Sequence, residues 1–141
     1  MDNEVGRMLM FWVGEERYAV DLQEVAEVVE SLPECPIPRA PLFLRGVANV
    51  HGSLVSILDL ALYLGGAMTR PGRELLVLSR PETALALAVE RVERIVTTEA
   101  IIGEDAAEGP LVVARLSLAD GPAKLLAVEP LLAAMERALQ A

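Results

Sequence analysis

Reactive side chains are scarce in this chain. Its 141 residues include one cysteine, one histidine, one lysine and one tryptophan. The single cysteine, Cys35, excludes an internal disulfide and fits a reducing compartment. It stands between Glu34 and Pro36 with no basic residue before Arg39, so it reads as a loop thiol rather than a nucleophile. One histidine and one cysteine cannot build a zinc site, and no Asp-x-Asp-x-Asp run offers a calcium loop. Neither Gly-x-Gly-x-x-Gly nor Gly-x-x-x-x-Gly-Lys-Ser/Thr is present, which removes the common phosphate cradles. Ser53, His51 and Asp59 could be imagined as a triad. There is no Gly-x-Ser-x-Gly elbow, however, and neighbouring hairpin-tip residues point apart. No catalytic residue, metal or cofactor is expected.

Positive charge is also in short supply. Twelve Lys and Arg face 21 Asp and Glu, a formal net charge of −9. Residues 1–70 hold five basic and ten acidic side chains, and residues 71–141 hold seven and eleven. Binding to nucleic acid draws on Lys and Arg that neutralise phosphates, and anionic bilayers attract the same residues. Neither half supplies them, so nucleic acid and membrane surfaces are excluded as partners. Long apolar runs are missing too. Met8–Val13 and Ala84–Val89, six residues each, are the longest, whereas a spanning helix needs about 20. Asp2 and Glu4 precede Arg7 where a secretory leader would be basic. The expectation is a cytoplasmic protein.

What the chain does have is a core and a repeat. At 53% hydrophobic and 23% charged, its composition supports one folded unit rather than a disordered chain. Residues 8–29, MLMFWVGEERYAVDLQEVAEVV, overlie residues 75–96, LLVLSRPETALALAVERVERIV, without a gap. Apolar meets apolar at 8/75, 9/76, 10/77, 11/78, 18/85, 19/86, 20/87, 22/89, 25/92, 28/95 and 29/96. Both copies break together, at Gly14-Glu15-Glu16 and at Pro81-Glu82-Thr83. Each then runs through a connector into a strand pair, and each ends in a helical stretch. The pairs are Gly46–Val50 with Leu54–Leu58, closing on His51-Gly52-Ser53, and Leu111–Leu118 with Ala123–Val128, closing on Asp120-Gly121-Pro122. Gly at such tips supplies the positive φ that tight hairpins require. Gln23–Glu30 reads as a helical turn feeding a strand, and Glu90–Arg94 as a solvated strand or turn face. From Pro130 onward Leu131, Leu132, Met135, Ala138 and Leu139 recur at helical spacing, predicting a C-terminal amphipathic helix.

Units of about 65 residues are small for independent folding, and open strand edges invite unwanted pairing. Two small barrels sharing an apolar seam answer both problems. The prediction is therefore one domain over 1–141, with approximate internal repeats 8–70 and 75–140. A mainly β, duplicated, acidic module without a reactive centre reads as an interaction protein.

The segment Leu44-Arg45-Gly46-Val47-Ala48-Asn49-Val50-His51-Gly52-Ser53-Leu54-Val55-Ser56-Ile57-Leu58-Asp59-Leu60 resembles the signature of the CheW family of chemotaxis adaptors. Val13–Asp21, Pro36–Pro41 and Ala88–Val92 resemble its flanking elements. The resemblance implies two five-stranded SH3-like β-barrels, with terminal segments crossing between them, short helices and the C-terminal helix. It implies a non-enzymatic scaffold that couples chemoreceptor tips to the regulatory domain of a CheA-type histidine kinase and sets its activity. By matching positions, Val25, Glu27 and Val28 fall where family members contact receptor or kinase. Arg45, Gly46, Asn49, His51 and Gly52 lie on the signature hairpin, which the resemblance implies supports the groove between the two barrels where a receptor tip docks. Each also has a plainer reading: Gly46 and Gly52 permit backbone geometry, Val25 and Val28 are core, Glu27 is solvated, and Asn49 bridges the hairpin. Asp59 is expected to cap the helix after it.

Three departures stand out. His51 replaces the family's usual Arg, giving up a permanent charge and a fork of donors. Leu54-Val55-Ser56 replaces the usual proline, and Arg91 stands where Gly is common. They motivate an alternative expectation: a specialised member serving pilus-driven, surface-motility or another non-flagellar output, which binds kinase but not receptor.

Overall fold

The computed structural model describes residues 6–30, 32–66, 74–79, 83–106 and 109–140, the side chains of 138–140 excepted. Among the described residues there are eleven strands, most of them on the apolar runs. They are β1 (Arg7–Val13), β2 (Glu16–Asp21), β3 (Val25–Val29), β4 (Leu44–Val50), β5 (Ser53–Asp59), β6 (Glu74–Leu78), β7 (Leu85–Val89), β8 (Arg91–Thr97), β9 (Gly103–Ala106), β10 (Val112–Leu118) and β11 (Gly121–Leu126). The helices are α1 (Leu60–Tyr63) and α2 (Val128–Gln140). A 3-10 turn at Leu22–Glu24, capped by the Asp21 side chain on the Gln23 amide, feeds β3 as the pattern predicts.

The strands form two mixed sheets, ordered β8-β1-β2-β11-β10-β9 and β3-β6-β7-β5-β4. The two orders are the same up to the last place. β8, β1, β2, β11 and β10 correspond to β3, β6, β7, β5 and β4, and each sheet has its one parallel pair at the matching position: β2 with β11, β7 with β5. Even the sixth strand has a trace in the smaller sheet. Cys35 pairs with Val47 on β4 through two 2.8 Å backbone hydrogen bonds, on the side where β9 covers β10. The hairpins are exchanged. β1–β2, from the first half of the chain, lies in the sheet of β8–β11; β6–β7, from the second, lies in the sheet of β3–β5.

Side chains sort by strand periodicity into matched layers. On β1, Leu9, Phe11 and Val13 face a core common to both sheets, while Met8 and Met10 face the six-stranded sheet's own interior. On β6, Leu76 and Leu78 join the common core and Leu75 the interior of the five-stranded sheet. The aligned pairs 9/76, 11/78 and 8/75 thus occupy equivalent layers. Burial on both faces is why these strands read as unbroken apolar runs instead of alternating ones. Val128, Leu131, Leu132 and Met135 of α2 seal the common core. Withdrawing one such side chain from water contributes about 1.5–3 kcal/mol.

Three details differ from the sequence reading. Val128 opens α2 rather than ending a strand, since its side chain enters the common core with Leu131 and Leu132. The second hairpin turns on Ala119-Asp120, with Gly121 already in β11 at φ 134°. The connector after Ile101 contains β9, whose sequence Gly-Glu-Asp-Ala carries no apolar alternation and which is held by backbone pairing to β10. Pro81 and Glu82, and residues 67–70 of the first repeat, lie outside the described residues, as do the side chains of Ala138 and Leu139.

Candidate functional site

In the five-stranded sheet β3 and β4 are the two end strands, yet a side-chain contact joins their ends. His51, at the tip between β4 and β5, lies with Nε2 2.9 Å from Oε1 of Glu27 on β3, sharing a hydrogen bond. The sheet therefore curls until its two ends meet, and the seam runs through two of the residues singled out from the sequence.

Local geometry sets this up. Val50 pairs with Ser53, leaving a two-residue turn in which His51 has φ 51° and Gly52 φ 87°. Positive φ at both positions belongs to the primed turns that match strand twist. Asn49 Oδ1 accepts from the Gly52 amide at 2.8 Å and holds the tip in place. His51, Asn49 and Gly52 are exposed, Glu27 is half-buried, and Val28 is 38% exposed. Leu54, directly across from Asn49 on the β4–β5 ladder, is 68% exposed. An apolar side chain so placed had no signal in the sequence, because Leu54 reads as one more core position in a strand.

Arg45, Gly46 and Val25 sit differently. The Arg45 side chain is only 11% exposed and spans Glu34, at 3.2 and 2.5 Å, and Asp59, at 3.5 Å. Burial works against its charge, but the hydrogen bond to Glu34 and the Glu34 and Asp59 carboxylates outweigh it and raise its pKa. Asp59 is fully buried and also accepts from the Leu62 amide at 3.0 Å, capping α1 as expected. Gly46 is buried beneath the Cys35 bridge, where an added Cβ would stand 2.4 Å from the Cys35 carbonyl oxygen. Val25 packs on the common core. These three build and hold the frame; Glu27, Val28, Asn49, His51 and Gly52 form the accessible edge.

The six-stranded sheet closes its seam at the equivalent place, with more groups. Arg94 of β8, aligned with Glu27, pairs with Asp120 of the β10–β11 turn at 2.9 Å and also with Glu93. Arg17, its side chain only 5% exposed, bonds Asp120 at 3.0 Å, the Gly121 carbonyl at 2.7 Å and the Pro122 carbonyl at 3.2 Å, and lies 3.5 Å from Glu93. The Trp12 indole donates to Glu93 at 3.0 Å beneath the Arg91 guanidinium. Hydrogen bonds from Arg17 and then Arg94 hold the Asp120 carboxyl down at about 2. Sequence reasoning missed this network, since its members lie far apart along the chain.

The triad imagined from the sequence is not assembled. His51 is engaged by Glu27, while Asp59 is buried against Arg45 and a helix amide, so Ser53, His51 and Asp59 do not act as one unit. Among the described residues no group of three or more His, Cys, Asp and Glu could hold a metal ion, and no helix is long and apolar enough to cross a membrane.

A family model described as the CheW-like domain matches residues 7–135. The chain is 28% identical over 119 residues to the chemotaxis protein CheW of Treponema pallidum (strain Nichols), covering 80% of this chain and 68% of that one. It is 28% identical over 92 residues to the chemotaxis protein CheW of Rhizobium meliloti (strain 1021), covering 64% and 59%. The matched stretches thus span about three fifths to two thirds of these relatives' length. The scaffolding protein TtCheW from Thermoanaerobacter tengcongensis has the same fold, with a TM-score of 0.75 at 20% identity over 88% of this chain and 90% of that one.

Proposed function

This chain belongs to the CheW-like domain family, and on that premise we propose that it is a non-enzymatic cytoplasmic scaffold of chemotaxis-type signalling. It couples the cytoplasmic tip of a chemoreceptor to the regulatory domain of a CheA-type histidine kinase and sets the kinase's output. The observation that carries this reading is the seam between β3 and the hairpin tip. Glu27 and His51 meet there, and Val28, Asn49 and Leu54 stand exposed around them. A rigid strand and a rigid turn present an apolar and polar edge with little ordering left to do on binding. Arg45 and Gly46 act one layer below: the Glu34–Arg45–Asp59 chain and the Cys35 bridge fix β4 against the loop before it.

The test is binding of the full chain, by calorimetry, to a kinase regulatory domain and separately to a receptor tip fragment. Val28→Asp and Leu54→Asp should each weaken at least one of the two complexes by about tenfold or more, the range of a buried interface contact. Unchanged affinity for both partners in both variants overturns the placement of the site. Absence of binding to either partner overturns the function.

A further inference from the structure

A cleft opens in the six-stranded sheet where β2 and β11 part. Their parallel ladder holds only at Tyr18 with Lys124 and Ala19 with Leu125. Toward the β1–β2 turn, it is the Arg17 side chain that bonds the Gly121 and Pro122 carbonyls of β11. The space left open measures about 580 Å³, within the size range of small-ligand sites. Trp12, Pro122 and Ala123 give it an apolar wall. The indole is pinned by its hydrogen bond to Glu93, and Lys124 Nζ lies 5.9 Å from the Tyr18 ring centroid, its stem laid along the sheet.

Two charges lining this cleft, Glu15 in the β1–β2 turn and Arg115 on β10, are exposed and have no ion pair among the described residues. The other charges are engaged. Lys124 and Glu16 hold each other at 3.0 and 2.9 Å, and Arg17 is held by Asp120 and the two carbonyls. Arg115 stands across from Asp105 on β9 without pairing with it, and directly across from Lys124 on β11. That second, like-charge juxtaposition is one a carboxylate would relieve. A guanidinium fork takes a carboxylate through two parallel hydrogen bonds. Strand order puts β11 and β2 between the two free charges, so two strand spacings, about 10 Å, separate them. An extended chain covers that distance in about three residues. The lining holds three bases and two acids, which favours neither a strong cation nor a strong anion, and the net charge of −9 repels an anion further. A neutral zwitterion meets neither obstacle. We infer that the cleft binds a short peptide of two or three apolar residues with both ends free. Its carboxylate lies on Arg115, its ammonium on Glu15 and its side chains against Trp12 and Pro122. This inference goes beyond the adaptor role, and its test contains neither kinase nor receptor.

Trp12 is the chain's single tryptophan, so its fluorescence reads the cleft directly. Titrating the full chain with the tripeptide leucyl-alanyl-leucine should give a saturable change, with calorimetry returning the same affinity. Acetylating the peptide's amino end, or amidating its carboxyl end, should each weaken binding by about tenfold or more. Glu15→Gln and Arg115→Gln should each cost as much, with circular dichroism confirming the fold of both variants. The two pairings are then separable. Acetylation should cost nothing further in Glu15→Gln, and amidation nothing further in Arg115→Gln. No saturation by about 10 mM tripeptide overturns the proposal. So does affinity that both substitutions leave untouched, or free leucine binding as tightly as the tripeptide.

Discussion

At the scale of single residues, the clearest consequence concerns Asp120. Its carboxyl titrates at about 2 in the folded protein, below the ordinary value of 3.8, because Arg17 and then Arg94 bond its charged form. A folded-state value below the unfolded one adds stability at pH above the ordinary value. That contribution shrinks as pH falls through the interval down to about 2. Asp120→Asn should therefore be less stable than wild type at neutral pH, with the gap narrowing between about pH 4 and pH 2. Chemical denaturation at several pH values measures it; a gap independent of pH would dismiss the ion pairs as its source. Residues also set the limit of what the sequence discloses. His51 and Glu27 were legible as a pair of interest, and the contact between them was not, because it depends on the curl of a whole sheet. Arg45, by position a surface contact, is instead enclosed by Glu34 and Asp59, partners eleven and fourteen residues away whose approach a linear reading does not reveal.

At the scale of elements, strands and turns were readable wherever an apolar period met a Gly or Pro boundary. β4 with β5, β10 with β11 and the amphipathic α2 all follow such signals, and the 3-10 turn before β3 falls where Gln23–Glu30 reads as a helical turn feeding a strand. β9 was illegible because nothing in Gly-Glu-Asp-Ala buries; its strand form comes from the ladder it joins. The hairpin tip allows a sharp test of turn geometry. Gly52 has φ 87° and open space where a Cβ would stand, so Gly52→Ala changes backbone preference and almost nothing else. The expected cost is about 1–2 kcal/mol, seen as a lower melting temperature with the β-sheet circular dichroism intact. A loss near zero would show that the tip relaxes without penalty.

At the scale of the whole molecule, the common core couples the two sheets. Leu9, Phe11, Val20, Leu58, Leu76, Leu87 and Leu131 belong to one cluster that draws on both sheets and α2. Phe11 is fully buried within it. Phe11→Ala should lower stability by about 3–5 kcal/mol while calorimetry still records a single transition. Two separate transitions would mean that the sheets melt independently and that the shared cluster is not what couples them.

The exchange of hairpins carries this coupling into the covalent chain. Were the backbone severed between α1 and β6, neither fragment would own a finished sheet: the first would lack β6–β7 from its middle, and the second β1–β2. Each piece would be the missing template for the other. Two inert polypeptides would become one working protein only on meeting, as in a split reporter whose signal is reassembly itself.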